Sequence, residues 1–304
     1  MQTQTFYSNG KLLLTGEYVV LDGAKALAVP TRFGQNLIVS LGNNQEIKWT
    51  SFDADKSVWF DDIITFQEIK NKTLHENNDK VKNTLIEILH QAFKQNPTFL
   101  SKEGYTIETQ LTFPRIWGLG TSSTLINNIG QWLQIDAFEL LQKSFGGSGY
   151  DIACAQNCSP IIYQLENDIP HIKPIEFDPE FKENIHFVYL NKKQSSKSAI
   201  SNYLGHQSKA EKVIPKITTI TYEAIDCKEG KDFAVLMDRH EIIMSDVLEA
   251  QTVKELHFED FSGVVKSLGA WGGDFAMVIS RHNPKDYFAS KGFDTVLSYD
   301  EMVL

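Results

Sequence analysis

Pro114-Arg115-Ile116-Trp117-Gly118-Leu119-Gly120-Thr121-Ser122-Ser123-Thr124 is the stretch whose reading decides the fold. Gly118 and Gly120 let a backbone come close to a ligand, and the hydroxyl run beginning at Thr121 supplies donors. A helix starting there would aim its free N–H groups and positive dipole end at the same point. Phosphate is the natural guest of such a turn. Ser122 or Ser123 could also touch Mg2+, as hydroxyls do at nucleotide sites. A glycine turn followed by a Ser/Thr cap has the same residue types and stays open as the plainer reading. The GxxxxGK[ST] pattern is missing, so this is no Walker loop.

Outward from that stretch, Tyr105 to Leu111 alternates apolar and polar side chains as a strand, and Thr121 to Leu133 has the composition of a helix. The order is strand, glycine loop, helix. Further upstream, Leu12 to Thr15 and Glu17 to Leu21 read as strands split by Gly16, and Asn36 to Leu41 as another. Val81, Leu85, Ile88, Leu89 and Ala92 recur at helical spacing, ended by Asn96 and Pro97. Downstream, a helix is expected over Ala137 to Phe145. Gly146, Gly147 and Gly149 then break the chain before a helical stretch from Asp151 to Gln156, which Pro160 closes. His186 to Leu190 and Met277 to Ser280 read as strands, Lys209 to Cys227 and Asp232 to Leu248 as helices. A boundary near Cys158 to His171 divides the chain into expected domains 1–160 and 161–304.

A net charge of −10 over 304 residues disfavours a general polyanion binder, because nucleic-acid affinity rests on clustered Lys and Arg. An anionic ligand must therefore meet a local positive pocket. Three cysteines without a CxxC pair disfavour a disulfide framework or a structural zinc site, and the scattered histidines form no HExxH. No catalytic histidine is assigned. Met1 to Phe6 is polar, and no apolar run approaches the ~18 residues of a membrane span, so a cytoplasmic location is expected, with no membrane and no nucleic-acid partner.

Two more segments bear on chemistry. Ser8 to Gly23 places Lys11 and Glu17 at opposite ends of a short expected strand, a pattern that a surface strand shares. Gly146-Gly147-Ser148-Gly149-Tyr150-Asp151-Ile152-Ala153 puts a carboxylate at a helix start, where Asp151 could equally be a cap.

Together these segments resemble the GHMP kinases, the superfamily of galactokinase, homoserine kinase, mevalonate kinase and phosphomevalonate kinase. Lys11, Gly16 and Glu17 match the first motif and Pro114 to Ser123 the phosphate loop Pro-x-x-x-Gly-Leu-Gly-Ser-Ser-Ala. Lys266-Ser267-Leu268-Gly269-Ala270-Trp271-Gly272-Gly273-Asp274 is similar to the C-terminal glycine motif. Gly149-Tyr150-Asp151-Ile152-Ala153 is the signature of the GYDIA subgroup, and the chain looks most like the mevalonate kinase and phosphomevalonate kinase branch.

The resemblance implies an α+β, two-lobed GHMP kinase fold, with a mixed-sheet N-terminal domain carrying the phosphate loop and a ferredoxin-like C-terminal domain. It implies ATP in the cleft between them, with Mg2+, and phosphoryl transfer to mevalonate, phosphomevalonate or a similar small anionic acceptor. Asp151 would take the proton from the attacking hydroxyl, or orient an acceptor that is already a phosphate, and Lys11 would keep Asp151 ionised. Pro114, Gly118, Leu119, Gly120, Thr121, Ser122 and Ser123 would cradle the triphosphate. Glu17, Lys197, Ser198, Gly272 and Gly273 would face the substrate. A homodimer is the one assembly considered.

The chain departs from the family pattern in three places. Ser8-Asn9 replaces Ala-Pro before the first motif, and Trp271 stands where glycine is usual, which would narrow the substrate pocket. The distance from Ser123 to Asp151 is short, so the segment that normally carries an Mg2+-ligating glutamate is missing in part. Glu139 is the nearest candidate ligand beside Ser122, and a solvated helix-face glutamate is its other reading. Two alternative functions stay open, the second of them motivated by the shortened segment. One is a diphosphomevalonate decarboxylase-like enzyme, and the other a nucleotide-binding protein with lost or weak turnover.

Overall fold

A computed structural model describes residues 3–75, 79–193 and 196–304; the side chains of 196–198 and 207–208 lie outside the description. In chain order the elements are β1 (Gln4–Leu13), β2 (Ala26–Leu41), β3 (Glu46–Phe52), β4 (Val58–Thr65), α1 (Phe66–Asn71), α2 (Lys80–Gln95), β5 (Tyr105–Leu111), α3 (Thr121–Leu133), α4 (Ala137–Ser144), α5 (Tyr150–Gln156), β6 (Ile161–Glu166) and β7 (Ile169–Pro174). They continue as β8 (Ile185–Tyr189), α6 (Ser196–Leu204), α7 (Gln207–Ala210), α8 (Ile214–Asp226), α9 (Gly230–Leu248), α10 (Val253–His257), β9 (Val264–Ser267), β10 (Phe275–Ile279), α11 (Lys285–Ser290), β11 (Val296–Ser298) and α12 (Tyr299–Met302).

Two compact units divide the chain. The first holds Met1–Gly10, Phe33–Arg115 and Leu119–Gln156, the second Lys11–Arg32, Ile116–Gly118 and Asn157–Leu304. In the first unit β3 pairs antiparallel with β4 and parallel with β5, from Ile47↔Tyr105 to Phe52↔Gln110. The second half of β2 runs antiparallel to β5 from Gln35↔Leu111 to Leu41↔Tyr105. The period-two alternation of β5 sends Tyr105, Ile107, Thr109 and Leu111 to the buried side. α2 begins where the Asp79 side chain accepts the Lys82 N–H, and it buries Leu85, Ile88, Leu89 and Ala92. That stripe packs with Leu37, Trp49 and Ile64 of the sheet, Ile126, Ile129 and Leu133 of α3, and Ile152 of α5 in one core. Each such side chain removed from water contributes about 1.5–3 kcal/mol, so this core is what holds α3 and α5 in place.

In the second unit β11-β8-β10-β9 form a four-stranded antiparallel sheet. Val188, Val265 and Val278 pack there with Phe258 and Phe288, whose rings meet edge-on at 4.8 Å. The first half of β2 pairs with β6, and β6 with β7. A mixed sheet and a second, antiparallel sheet make the protein α+β, as the motifs imply.

Local expectations fail at two points. Glu17 to Leu21 is no strand: β1 ends at Leu13 and Val19–Asp22 is a 3-10 turn. The reason is backbone chirality, since Gly16 has φ 88° and Tyr18 φ 63°, neither of which fits a strand. Lys209 to Cys227 is two helices rather than one, because Pro215 in the first turn of α8 starts a new helix instead of continuing the old one.

Candidate active site

The glycine loop does open into a helix. Gly120, with φ 100°, is the residue before α3, and it offers no side chain to cap the amides that follow. Among the described residues no protein acceptor is found for the backbone N–H of Thr121, Ser122 or Ser123, whereas the Thr124 N–H returns to the Gly120 carbonyl at 2.9 Å. These are the donors a helix start leaves unspent, and together with the dipole they favour an anion. The hydroxyls differ. Ser123 is buried and donates to the Gly120 carbonyl at 2.9 Å, while Ser122 is exposed. Leu119 is fully buried and anchors the loop.

α3 is fixed in the first unit by buried polar bonds. Ser8 Oγ donates to Asn128 Oδ1 at 2.8 Å and accepts from Asn127 Nδ2 at 2.8 Å, Thr124 Oγ1 donates to Gln35 Oε1 at 2.8 Å, and Asn128 Nδ2 donates to the Gln35 carbonyl at 2.9 Å. Ser8, a departure from the usual Ala, thus has a local reason: its hydroxyl satisfies two buried amides of α3. Also in this unit, Asp151 lies in the first turn of α5, half-buried, with Oδ1 accepting its neighbour's N–H from Ile152 at 3.1 Å. Glu139 stands on the exposed face of α4, paired with Lys143 one turn on. Arg115 lies with its guanidinium 4.7 Å from the Trp59 ring centre, and its N–H donates to Asp53 Oδ1 at 2.9 Å.

The second unit carries the other motifs. Lys11 Nζ donates to the Gly118 carbonyl at 3.1 Å. Gly118 has φ 69°, and a Cβ there would fall 2.3–2.5 Å from the Asp274 carboxylate, so only glycine fits. Glu17, which the resemblance puts on the substrate side, is 3% exposed. Its Oε1 receives Lys266 Nζ at 2.5 Å, and Oε2 lies 3.4 Å from His240 Nε2. His240 Nε2 accepts the Gly16 N–H at 2.9 Å, and burial holds this imidazole neutral, well below its usual pKa. Glu241 accepts from Ser267 Oγ at 2.8 Å and from the Ser267 N–H at 3.1 Å; burial raises its pKa to about 7 against the pull of Lys266. Glu17 is held in a buried ion pair, its carboxylate turned toward Lys266.

Gly272 (φ 76°) and Gly273 sit in the turn between β9 and β10, beside Asp274, which itself has φ 53°. Trp271 is held on both sides, its backbone N–H donating to Tyr18 Oη at 2.7 Å and its indole N–H to the Gln251 carbonyl at 2.9 Å. Lys197 and Ser198 fall in α6, but their side chains lie outside the described residues. No helix among the described residues is long and apolar enough to cross a membrane.

No protein-family model and no curated protein matches the sequence. Solved structures do. The phosphomevalonate kinase of Streptococcus pneumoniae, in complex with phosphomevalonate and AMPPNP, matches with a TM-score of 0.71 at 15% identity, over 97% of this chain and 99% of that one. The L. major mevalonate kinase in complex with R-mevalonate matches with a TM-score of 0.70 at 15% identity, over 99% and 96%. The Lactococcus lactis galactokinase, complexed with galactose, gives 0.67 at 13%, over 95% and 88%. The chain has the GHMP kinase fold.

Within that GHMP kinase fold, the loop and helix expected at Pro114 to Leu133 form as read, with Thr121 as the first helical residue. Lys266, His240, Glu241 and Asp274 received no role from the sequence. Lys266 was visible only as the first residue of a glycine motif, and His240 and Glu241 are two polar positions in a long amphipathic helix. Nothing in their spacing tells that they turn inward.

Proposed function

We propose that the protein is an ATP-dependent small-molecule kinase acting on a small anionic alcohol or phosphate, with mevalonate and phosphomevalonate as the first acceptors to try. The observation that carries this reading is the start of α3, where three amides and the Ser122 hydroxyl find no protein partner among the described residues, on a fold shared with kinases. A triphosphate tail matches that set of donors in charge and in hydrogen-bonding sense.

In this reading the amides of Thr121, Ser122 and Ser123 take up the charge of the nucleotide phosphates. Asp151 receives the proton of the acceptor hydroxyl as its oxygen bonds to the γ-phosphorus and ADP departs. Where the acceptor is already a phosphate, Asp151 orients it instead. Lys11, held at the Gly118 carbonyl, fixes the loop and balances negative charge. Mg2+ is a hard cation suited by the exposed oxygen of Ser122, and when bound it would neutralise phosphate charge. Glu139 would have to leave Lys143 to join it. Gly272 and Gly273 would line the acceptor side, with Lys197 and Ser198 supplying polar groups.

The test is an ADP-release screen over small alcohols and their monophosphates, run beside Asp151→Asn. Acceptor-dependent ADP that disappears in the variant supports the proposal. Carbon dioxide released with ADP would move the assignment to decarboxylation. Calorimetric ATP binding with no ADP from any acceptor would favour a nucleotide-binding protein without turnover, a reading the Glu139–Lys143 pair keeps in view.

A further inference from the structure

Tyr18 is an unusual residue in an unusual place. Its φ of 63° and ψ of −54° belong to the rare γ-turn of positive φ, closed by the Val19 N–H on the Glu17 carbonyl at 2.8 Å. A non-glycine residue is strained there and persists only where its surroundings fix it. The surroundings do so on each side, all within the second unit. Before it, Gly16 is held by His240 and Thr15 Oγ1 lies 2.7 Å from Thr221 Oγ1. The Tyr18 ring is 8% exposed and stacks on Tyr203 of α6 with centroids 5.4 Å apart. Tyr203 in turn donates its hydroxyl to Asp22 Oδ2, at the end of the same turn. The Tyr18 hydroxyl accepts the backbone N–H of Trp271 at 2.7 Å.

Three segments distant in sequence therefore meet on one aromatic pair: the turn after Gly16, the helix α6, and the glycine turn from Gly269 to Asp274. We propose that Tyr18 is a positioning residue that sets the glycine turn and α6 as one unit, and so fixes the turn that carries Gly272 and Gly273 on the acceptor side. The geometry favours this over simple core filling, because the hydroxyl ends on a turn amide, where packing alone would need only a ring. A phenylalanine would keep the ring and lose that bond.

The kinetic part of the proposal rests on the kinase reading, and the exchange part does not. Amide hydrogen exchange on the intact protein should rise about tenfold in the peptide 268–275 for Tyr18→Phe, the size expected for one lost hydrogen bond, and in both 268–275 and 196–204 for Tyr18→Ala, which also removes the ring stacked on Tyr203. Unchanged exchange of the glycine turn in Tyr18→Phe, or of α6 in Tyr18→Ala, overturns the proposal. Tyr203→Phe, which removes the bond to Asp22 and keeps the stack, should loosen 196–204 alone. With mevalonate or mevalonate 5-phosphate as acceptor, Tyr18→Phe should raise the acceptor KM about tenfold and leave kcat within about threefold. A fall in kcat at unchanged KM would overturn the positioning role. Should neither acceptor be turned over by the wild type, the choice of acceptors fails, and the exchange result alone decides for or against Tyr18.

Discussion

The start of α3 and the turn from Thr15 to Tyr18 are both glycine-bearing motifs, and they use their polar groups in opposite ways. At α3 the amides of Thr121, Ser122 and Ser123 find no protein acceptor among the described residues, and one hydroxyl faces solvent. In the turn, Thr15 bonds Thr221 and the Leu27 N–H, Gly16 bonds His240, Glu17 bonds Lys266, and Tyr18 accepts from Trp271. One motif leaves its donors without a protein acceptor among the described residues, and the other spends most of its groups within the protein, leaving Glu17 Oε2 and His240 Nδ1 buried without a hydrogen-bond partner among them. A binding loop and a scaffold can thus look alike in sequence. They separate only when each polar atom is followed to its partner.

The comparison breaks first if the turn is not the scaffold. Lys266→Met leaves Glu17 buried without its cation, so it should lower unfolding stability by about 3–5 kcal/mol, measured as a fall in the urea midpoint. Adding Glu17→Gln should recover most of that loss; no loss in the single variant would mean that the pair is not a coupled charge.

Beside the α3 motif, and on the proposed kinase reading, Asp151→Asn in α5 and Lys11→Met in β1 should each lower turnover at least ~100-fold with nucleotide affinity little changed. Near-normal kcat in both would take these residues out of the mechanism, while lost nucleotide binding would make them part of the phosphate site.

The scaffold should also carry a pH signature. The Glu241 carboxyl titrates near its usual 4.5 in the unfolded chain and at about 7 when folded. The folded form therefore holds a proton that the unfolded form has released, and the associated stability, present below pH 4.5, is lost as pH rises through 7. The shift corresponds to on the order of 3 kcal/mol across that window, and Glu17, also raised by burial, acts in the same direction. Glu241→Gln should flatten the slope of urea midpoint against pH. An unchanged slope would place the titrating group elsewhere.

The smallest expected effect separates two adjacent hydroxyls. Ser123→Ala, which gives up the bond to the Gly120 carbonyl, should cost about 1 kcal/mol, and Ser122→Ala less than about 0.5 kcal/mol in thermal unfolding. Equal costs would contradict the division between spent and unspent groups in the loop.

Much of the fold was legible because it is periodic. The alternation from Tyr105 to Leu111 and the spacing of Val81, Leu85, Ile88 and Leu89 are local patterns that tertiary packing only confirms, and β5 and α2 cover them. The Gly118-Leu119-Gly120 loop was legible because its conformational demand is written in residue type. β3, β4, β6 and β7 were not named, and length does not explain it, since β3 has the same seven residues as β5 and β4 has eight. The turn at Tyr18 was misread as a strand because the residues after it are β-branched and apolar, and nothing in them announces a positive φ.

By itself, the sequence determined the strand, loop and helix that build the phosphate-type turn, since glycines, hydroxyls and apolar spacing act over a few residues. Only the tertiary structure decided which charges are buried. Glu17 and Lys266 are 249 positions apart, and their pairing at 2.5 Å depends on the packing of α9 and β9 around the first-motif turn. A buried charge is stable only beside a partner, and that partner is chosen in three dimensions, where no local pattern reaches.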